Sequence, residues 1–239
     1  MTLPNLFLLT GAGISAESGL STFRDKGGLW SRHRLEDVAS LSGYERNPQQ
    51  VLEFYNLRRN AHSDVKPNAA HLALAKLERH WEERSATVTV CTQNIDNLHE
   101  QAGSRRVIHM HGELSKVRCH DCGAVTPADG DLSVNLGCAA CGRVGGMRPH
   151  VVWFGETPLR MDDIYAALAA SNLFVSIGTS GSVHPAAGFV RAAVAAGIAT
   201  MEINLEHSEN ADAFDLARYG KASEVVPAWV DELMGSLRG

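Results

Sequence analysis

This sequence of 239 residues has no block of like charge: 22 Lys and Arg face 27 Asp and Glu, a net charge of −5. Neither is there a basic stripe with interleaved aromatics, so a protein whose main work is gripping nucleic acid through phosphates is excluded, leaving room for a local basic patch at most. Long apolar runs are also missing. Leu6-Phe7-Leu8-Leu9 is cut short by Gly11, too short to span a membrane and without the charged start of a signal peptide, which makes a cytosolic location the expectation. Cysteines are few, and four of the five form two Cys-x-x-Cys pairs, a spacing that in a reducing compartment points to metal rather than disulfides. The fifth, Cys91, sits in a strand-like run and reads as a small buried apolar residue. No repeat or low-complexity tract occurs. With 44% hydrophobic residues, the chain can build one large domain, or a core with a small satellite.

What is present is a rhythm of short apolar runs and helical patterns. Strands are expected at Leu6–Thr10, Thr87–Cys91, Arg106–His109, His150–Phe154, Leu173–Ile177, Thr200–Leu205 and Glu224–Val226, and helices at Pro48–His62, Asn68–Glu83, Met161–Ala170, Pro185–Ala196 and Pro227–Leu237. Strands apolar on both faces and alternating with helices imply an α/β fold: a Rossmann-like parallel sheet covered on both sides. Two stretches break the rhythm. Residues 31–72 show no strand and read as a helical insertion; residues 116–148 are rich in Gly and Cys and cannot build a core unaided. The Rossmann-like core is then assigned to 1–30, 73–115 and 149–239.

The first strand runs into Gly11-Ala12-Gly13-Ile14-Ser15-Ala16, a permissive dinucleotide fingerprint that can bring backbone amides to a pyrophosphate; a tight turn without ligand is the competing reading. About 20 residues on, where such a unit usually supplies an acidic ribose ligand, the chain has the loop Arg24-Asp25-Lys26-Gly27-Gly28. Asn204-Leu205-Glu206 offers a substitute, with Glu206 favouring NAD over NADP, unless it is only a solvated strand end. Gly178-Thr179-Ser180-Gly181-Ser182 follows another strand and suits the same crevice. Two polar strings, Gln93-Asn94-Ile95-Asp96 and His109-Met110-His111-Gly112, also fall just past strand ends, where ligands bind in open α/β sheets. Cys119, Cys122, Cys138 and Cys141 offer four thiolates for a closed structural zinc, with redox use as the minor alternative.

Together with Thr22-Phe23-Arg24 and Val151-Val152-Trp153-Phe154-Gly155-Glu156, these collinear motifs resemble the sirtuins, NAD-dependent protein lysine deacylases, over nearly the whole chain. The resemblance implies a bare catalytic core of bacterial type. It implies that the acyl-lysine carbonyl oxygen displaces nicotinamide from its ribose, and that the ribose 2′-hydroxyl then captures the acyl carbon, giving lysine and O-acyl-ADP-ribose. His111 takes the role of base near those hydroxyls; His109 reads as structural. Asn94, counted with His111 as catalytic, and Asp96 would bind the nicotinamide carboxamide and ribose, with Gln93 bonding that ribose and Ile95 beside the cofactor. Phe23 and Arg24, or by type alone a surface ion pair from Arg24, belong to a loop that would cover the cofactor together with Thr22. The other cofactor contacts implied are Gly11, Ala12, Gly13, Ser15, Ala16, Gly178, Thr179, Ser180, Asn204, Leu205, Glu206 and Ala222. Val152, Phe154, Gly155 and Val183 would hold the substrate peptide by main-chain pairing.

Tyr55 and Arg58, three apart on one helix face, could be a solvated pair. Within the resemblance they match the Tyr-x-x-Arg signature of the class III branch, with Ala39 leaving room in the pocket, so acidic acyl groups such as succinyl should be gripped by guanidinium and phenol. Bacterial members of this branch commonly accept acetyl-lysine as well, so the resemblance implies acetyl- and succinyl-lysine side chains of proteins as partners, with no membrane or specific nucleic acid. The alternatives are an NAD-dependent mono-ADP-ribosyltransferase, a zinc-containing NAD oxidoreductase or a zinc-containing nucleic-acid-binding protein.

Overall fold

A computed structural model describes residues 3–20 and 34–236. Along the described chain run β1 (Leu6–Thr10), α1 (Ala12–Ala16), α2 (Leu35–Val38), α3 (Leu41–Arg46), α4 (Pro48–His62), α5 (Ala69–Glu82), β2 (Val88–Thr92), α6 (Leu98–Ala102), β3 (Val107–His109), β4 (Gly112–Cys119), β5 (Val125–Pro127), β6 (Met147–Val151), α7 (Met161–Ala169), β7 (Leu173–Ile177), α8 (Phe189–Ala195), β8 (Ala199–Asn204), β9 (Leu216–Tyr219) and α9 (Ala222–Gly235). Six strands form one sheet in the order β3-β2-β1-β7-β8-β9, every pair parallel. The order reverses between β1 and β7, which opens a crevice beyond the carboxyl ends of those two strands.

Alternation along β1 explains why helices cover both faces. Leu6 and Leu8 point to a core with Leu74, Trp81, Trp229 and Val230 from α5 and α9. Phe7 and Leu9 point the other way, to Ile164, Leu168, Phe189 and Val190 from α7 and α8. Full burial of a side chain such as Leu8 stabilises the fold by roughly 1.5–3 kcal/mol. Helix starts are written locally: the Asn47 side chain accepts the Gln50 amide with Pro48 at the first turn of α4, and Asn68 caps α5 in a capping box with His71.

A second sheet, antiparallel in the order β5-β4-β6, covers 112–151 and so extends past both ends of the expected 116–148 module. It shares a core with the helical insertion through Val38, Leu52 and Tyr55 on one side and Val117, Met147 and Trp153 on the other. Two expectations are corrected here. The run at 150–154 forms a strand earlier, at Met147–Val151, and pairs antiparallel with the unforeseen β4; the apolar positions of β4 are few and interrupted by a bulge, so no period-2 signal stands out. Glu224–Val226 is not a strand but the start of α9, which places Val226, Trp229 and Val230 on one buried helical face.

Candidate active site

The carboxyl ends of β1 and β7 interlock through glycines. A Cβ on Gly11 would lie 2.7 Å from the Gly178 oxygen, one on Gly13 2.8 Å from the Gly178 Cα, and Gly178 itself has φ +63° with a Cβ position 2.4 Å from the Ile14 nitrogen. Only residues without side chains allow this approach. The Gly11 and Gly13 amides donate to the carbonyls of Ile177 and Gly178 at 3.0 and 2.9 Å, so close packing of the two turns is the visible use of these glycines. Beside them Asn204 Nδ2 donates to the Thr179 carbonyl at 2.7 Å, tying the ends of β7 and β8.

Under this turn lies a buried polar network. Asn94 Nδ2 donates to the Gly11 carbonyl at 3.1 Å and to Ser15 Oγ at 3.0 Å. Ser15 Oγ donates to Asp96 Oδ2 at 3.0 Å, while the Leu98 amide donates to Asp96 Oδ1. Burial raises the Asp96 carboxyl, only partly offset by those two donors. His71 and His99 pack edge to face behind Ser15 and Thr10, and burial pushes His71 down to about 4, so the network holds a neutral imidazole there at physiological pH.

Two more histidines bracket the loop after β2. His111 Nδ1 lies 3.0 Å from the Gln93 carbonyl, which fixes Nδ1 as the protonated nitrogen and leaves Nε2 basic, with no partner among the described residues. Burial lowers His111 against the opposing pull of that carbonyl, so the neutral form dominates. His109 is the contrast: burial would lower it, but Glu100 at 2.7 Å outweighs this and raises it. Its Nδ1 sits 3.4 Å from the Asn94 carbonyl. That position fits the structural reading of His109.

One cavity of about 780 Å³ joins these groups. It is lined by Gly11, Ala12, Gly13, Ser15 and Ala16; by Gln93, Asn94, Ile95, Asp96 and His111; by Gly178, Thr179 and Ser180; and by Asn204, Leu205, Glu206 and Ala222. Its other end is lined by Ala39, Tyr55, Arg58, Val152, Phe154, Gly155 and Val183. Thr22, Phe23 and Arg24 lie outside the described residues. Tyr55 is 3% exposed, and burial raises its phenol, partly countered by Arg58. Burial likewise lowers Arg58, which remains a cation because a guanidinium does not deprotonate in proteins. Trp153 and His62 also line the cavity; Trp153 stands inside the Val151–Glu156 motif, which gives it no role of its own, and His62 falls in no spacing that reveals it.

The four paired cysteines converge, with all Sγ atoms within 4.8 Å of one another. Cys119–Cys141 and Cys122–Cys138 stand at 3.8 and 3.7 Å, far beyond a disulfide and close to the edge of roughly 3.8 Å that tetrahedral zinc with Zn–S bonds of about 2.3 Å requires. The donor set therefore fits a closed structural zinc. Such a metal would tie the end of β4 to the loop before β6.

Residues 11–185 match the family model described as the Sir2 family. An NAD-dependent protein deacylase of Caulobacter vibrioides is 60% identical over 232 residues, which cover 97% of this chain and 98% of the relative. Among solved structures, a Sir2 homolog–NAD complex is 37% identical with a TM-score of 0.86, covering 98% of this chain and 90% of that one. A Sir2 protein bound to a propionylated peptide is 28% identical with a TM-score of 0.78, covering 95% and 92%. Interlocked glycines, the histidine-bracketed loop and the four-thiolate cluster thus occur in a chain that belongs to the Sir2 family, in its bacterial branch of NAD-dependent protein deacylases.

Proposed function

We propose that this chain removes both acetyl and succinyl groups from protein lysine side chains, transferring them to ADP-ribose with release of nicotinamide. The observation that carries the reading is the continuity of one cavity from the glycine turn through His111 to Tyr55 and Arg58. Its volume falls within the roughly 300–1,000 Å³ usual for ligand sites, and the turn residues Gly11, Ala12, Gly13 and Gly178 line it, which supports a pyrophosphate seat there. Bound there, NAD supplies an electrophilic anomeric carbon and a leaving group.

The chain's own groups divide the work. Asn94 and Asp96, held by Ser15 and Gly11, present an amide and a carboxylate to carboxamide and hydroxyl groups. His111, with Nδ1–H fixed on the Gln93 carbonyl, accepts the proton of a sugar hydroxyl on Nε2 as that oxygen bonds to the acyl carbon. Asn204 and Glu206 would take the other ribose, with Leu205 and Ala222 beside it, while Ala12, Ala16, Ile95, Thr179 and Ser180 complete the lining. Thr22, Phe23 and Arg24 would cover the cofactor. At the far end Val152, Phe154, Gly155 and Val183 would hold the peptide. Ala39 leaves space for the acyl chain, and Arg58 and Tyr55 offer a cation and a hydroxyl to an acyl carboxylate.

The test is an assay of acetyl- and succinyl-lysine peptides with NAD, following nicotinamide and the mass of the sugar product. Equimolar nicotinamide and O-acyl-ADP-ribose from both peptides is the expected result. Nicotinamide formed with ADP-ribose attached to protein would favour ADP-ribosyl transfer instead, and no turnover of succinyl peptide would remove the second activity.

A further inference from the structure

Trp153 is 2% exposed and its indole Nε1 donates to the Tyr55 hydroxyl oxygen at 3.0 Å. An indole N–H can only donate, so the phenol oxygen must be the acceptor, and the phenol keeps its single proton to give elsewhere. Among the described residues nothing takes that proton, and Tyr55 lines the cavity together with Arg58. A hydroxyl donor beside a guanidinium suits an anion; the methyl of an acetyl group offers it no acceptor.

The indole has no freedom to drift from this contact. The Arg148 guanidinium stacks 3.3 Å over its ring, and the Tyr44 ring packs 5.2 Å away. Glu156 accepts two bonds from Arg148 at 2.7 and 2.9 Å and the Trp153 backbone amide at 2.8 Å. One carboxylate therefore fixes the main chain of Trp153 and the cation on its ring face. We infer that Trp153 is a specificity-positioning residue, whose indole N–H holds the Tyr55 hydroxyl in the orientation that donates its proton to an acidic acyl group. This rests on the proposal that Tyr55 and Arg58 read acyl carboxylates. A tryptophan buried only for packing would affect all substrates alike.

Trp153→Phe keeps an aromatic face for Arg148 and removes the N–H. As a second variant, Trp153 replaced by 3-benzothienylalanine keeps the bicyclic shape and puts sulfur in place of the N–H, so the fold is preserved even if the smaller ring is not tolerated. The quantity read is the ratio of succinyl to acetyl kcat/KM, with the Kd of the succinyl peptide in the absence of NAD as a second readout. Each variant should lower the ratio by at least about threefold, part of the loss for one hydrogen bond to a charged group. It should lower it no further when combined with Tyr55→Phe, because the orienting bond then has nothing to orient. A parallel fall in both activities, or a double variant whose ratio is the product of the singles, overturns the inference while leaving the acyl-reading pocket intact. If Tyr55→Phe by itself leaves the ratio unmoved, the acidic-acyl reading fails and this inference fails with it.

Discussion

The two ends of the cavity are built differently. The glycine end stands on the carboxyl ends of parallel strands, and its polar groups are held largely by backbone: Asn94 by the Gly11 carbonyl, His111 by the Gln93 carbonyl, the turns by one another. The far end, proposed to take the acyl group, stands on α4 and the loop after β6, outside the large sheet, and its order comes from side chains, Tyr55 on Trp153, Trp153 on Arg148, Arg148 on Glu156. Groups bound by backbone geometry depend on where the strand ends lie. Groups bound by side chains can be exchanged one by one. If the far end reads the acyl group as proposed, its preference can be altered there without touching the strand ends that carry the glycine turn.

The comparison breaks most severely if the metal is taken away. Tetrahedral four-thiolate sites contribute to folding outright, and the small sheet shares its core with Tyr55 and Trp153. Protein as purified should carry about one zinc per chain by that rule, and Cys119→Ser or chelation should lower the melting temperature and remove both deacylations. Metal-free protein that keeps its melting temperature and full activity would refute this.

Next in size is His111→Ala, which should lower deacylation roughly a hundredfold or more, the usual scale for losing a general base, while NAD binding measured by calorimetry stays near wild type. The pH dependence follows from the direction of its shift. Burial lowers the imidazole, so the active neutral form should persist below its ordinary value of 6.5, and the acid limb of kcat/KM should lie on that side. Wild-type turnover in the variant would remove His111 from the reaction.

A tenfold scale separates the ends more finely. Removing one partner of a buried charge pair costs about 2–5 kcal/mol, so Arg58→Met should cut desuccinylation by more than about tenfold and deacetylation much less. Tyr55→Phe should show the same bias at smaller size, since a hydrogen bond to a charged group contributes about 1.5–3 kcal/mol. Matched kcat/KM values for the two peptides decide, and equal losses would strip both residues of that role.

The smallest effect concerns Glu100 and His109 at the glycine end. With its folded value raised above the unfolded one, His109 contributes stability that is fully present below about pH 6.5 and lost as pH rises through the folded value. Glu100 is 41% exposed, so solvent screening limits this to about 1 kcal/mol or less. Glu100→Gln should flatten the change in denaturation midpoint across that range; an unchanged slope would show that the pair does not titrate with folding.

Legibility in the sequence followed the same division. β1, α4 and β7 were readable to the residue because apolar runs and caps such as Asn47 and Pro48 are local signals. Strand-end motifs were readable because glycine, amide and imidazole groups cluster within a few positions. β4 was hidden by its sparse apolar positions, and the start of α9 was misread because Val225 and Val226 favour a strand until Trp229 and Val230 declare the helical period. Trp153 stands in the Val151–Glu156 motif, yet its contact with Tyr55 is not legible there. Its partners Tyr55, Tyr44 and Arg148 come from separate elements, and no spacing along the chain announces an indole N–H aimed at a phenol.

Strand order has one more consequence, for the birth of the protein. β1 is made first, yet its partner β7 begins at Leu173, and the adjoining Asn5 and Asn172, bonded to each other, are 167 residues apart. Contacts of such high sequence separation form late, and during synthesis a chain folds only as far as it has emerged. A nascent chain carrying the glycine turn, His111 and even all four cysteines still has no second wall for the crevice. Translation must pass β7 and β8 before the crevice beyond β1 has both of its walls.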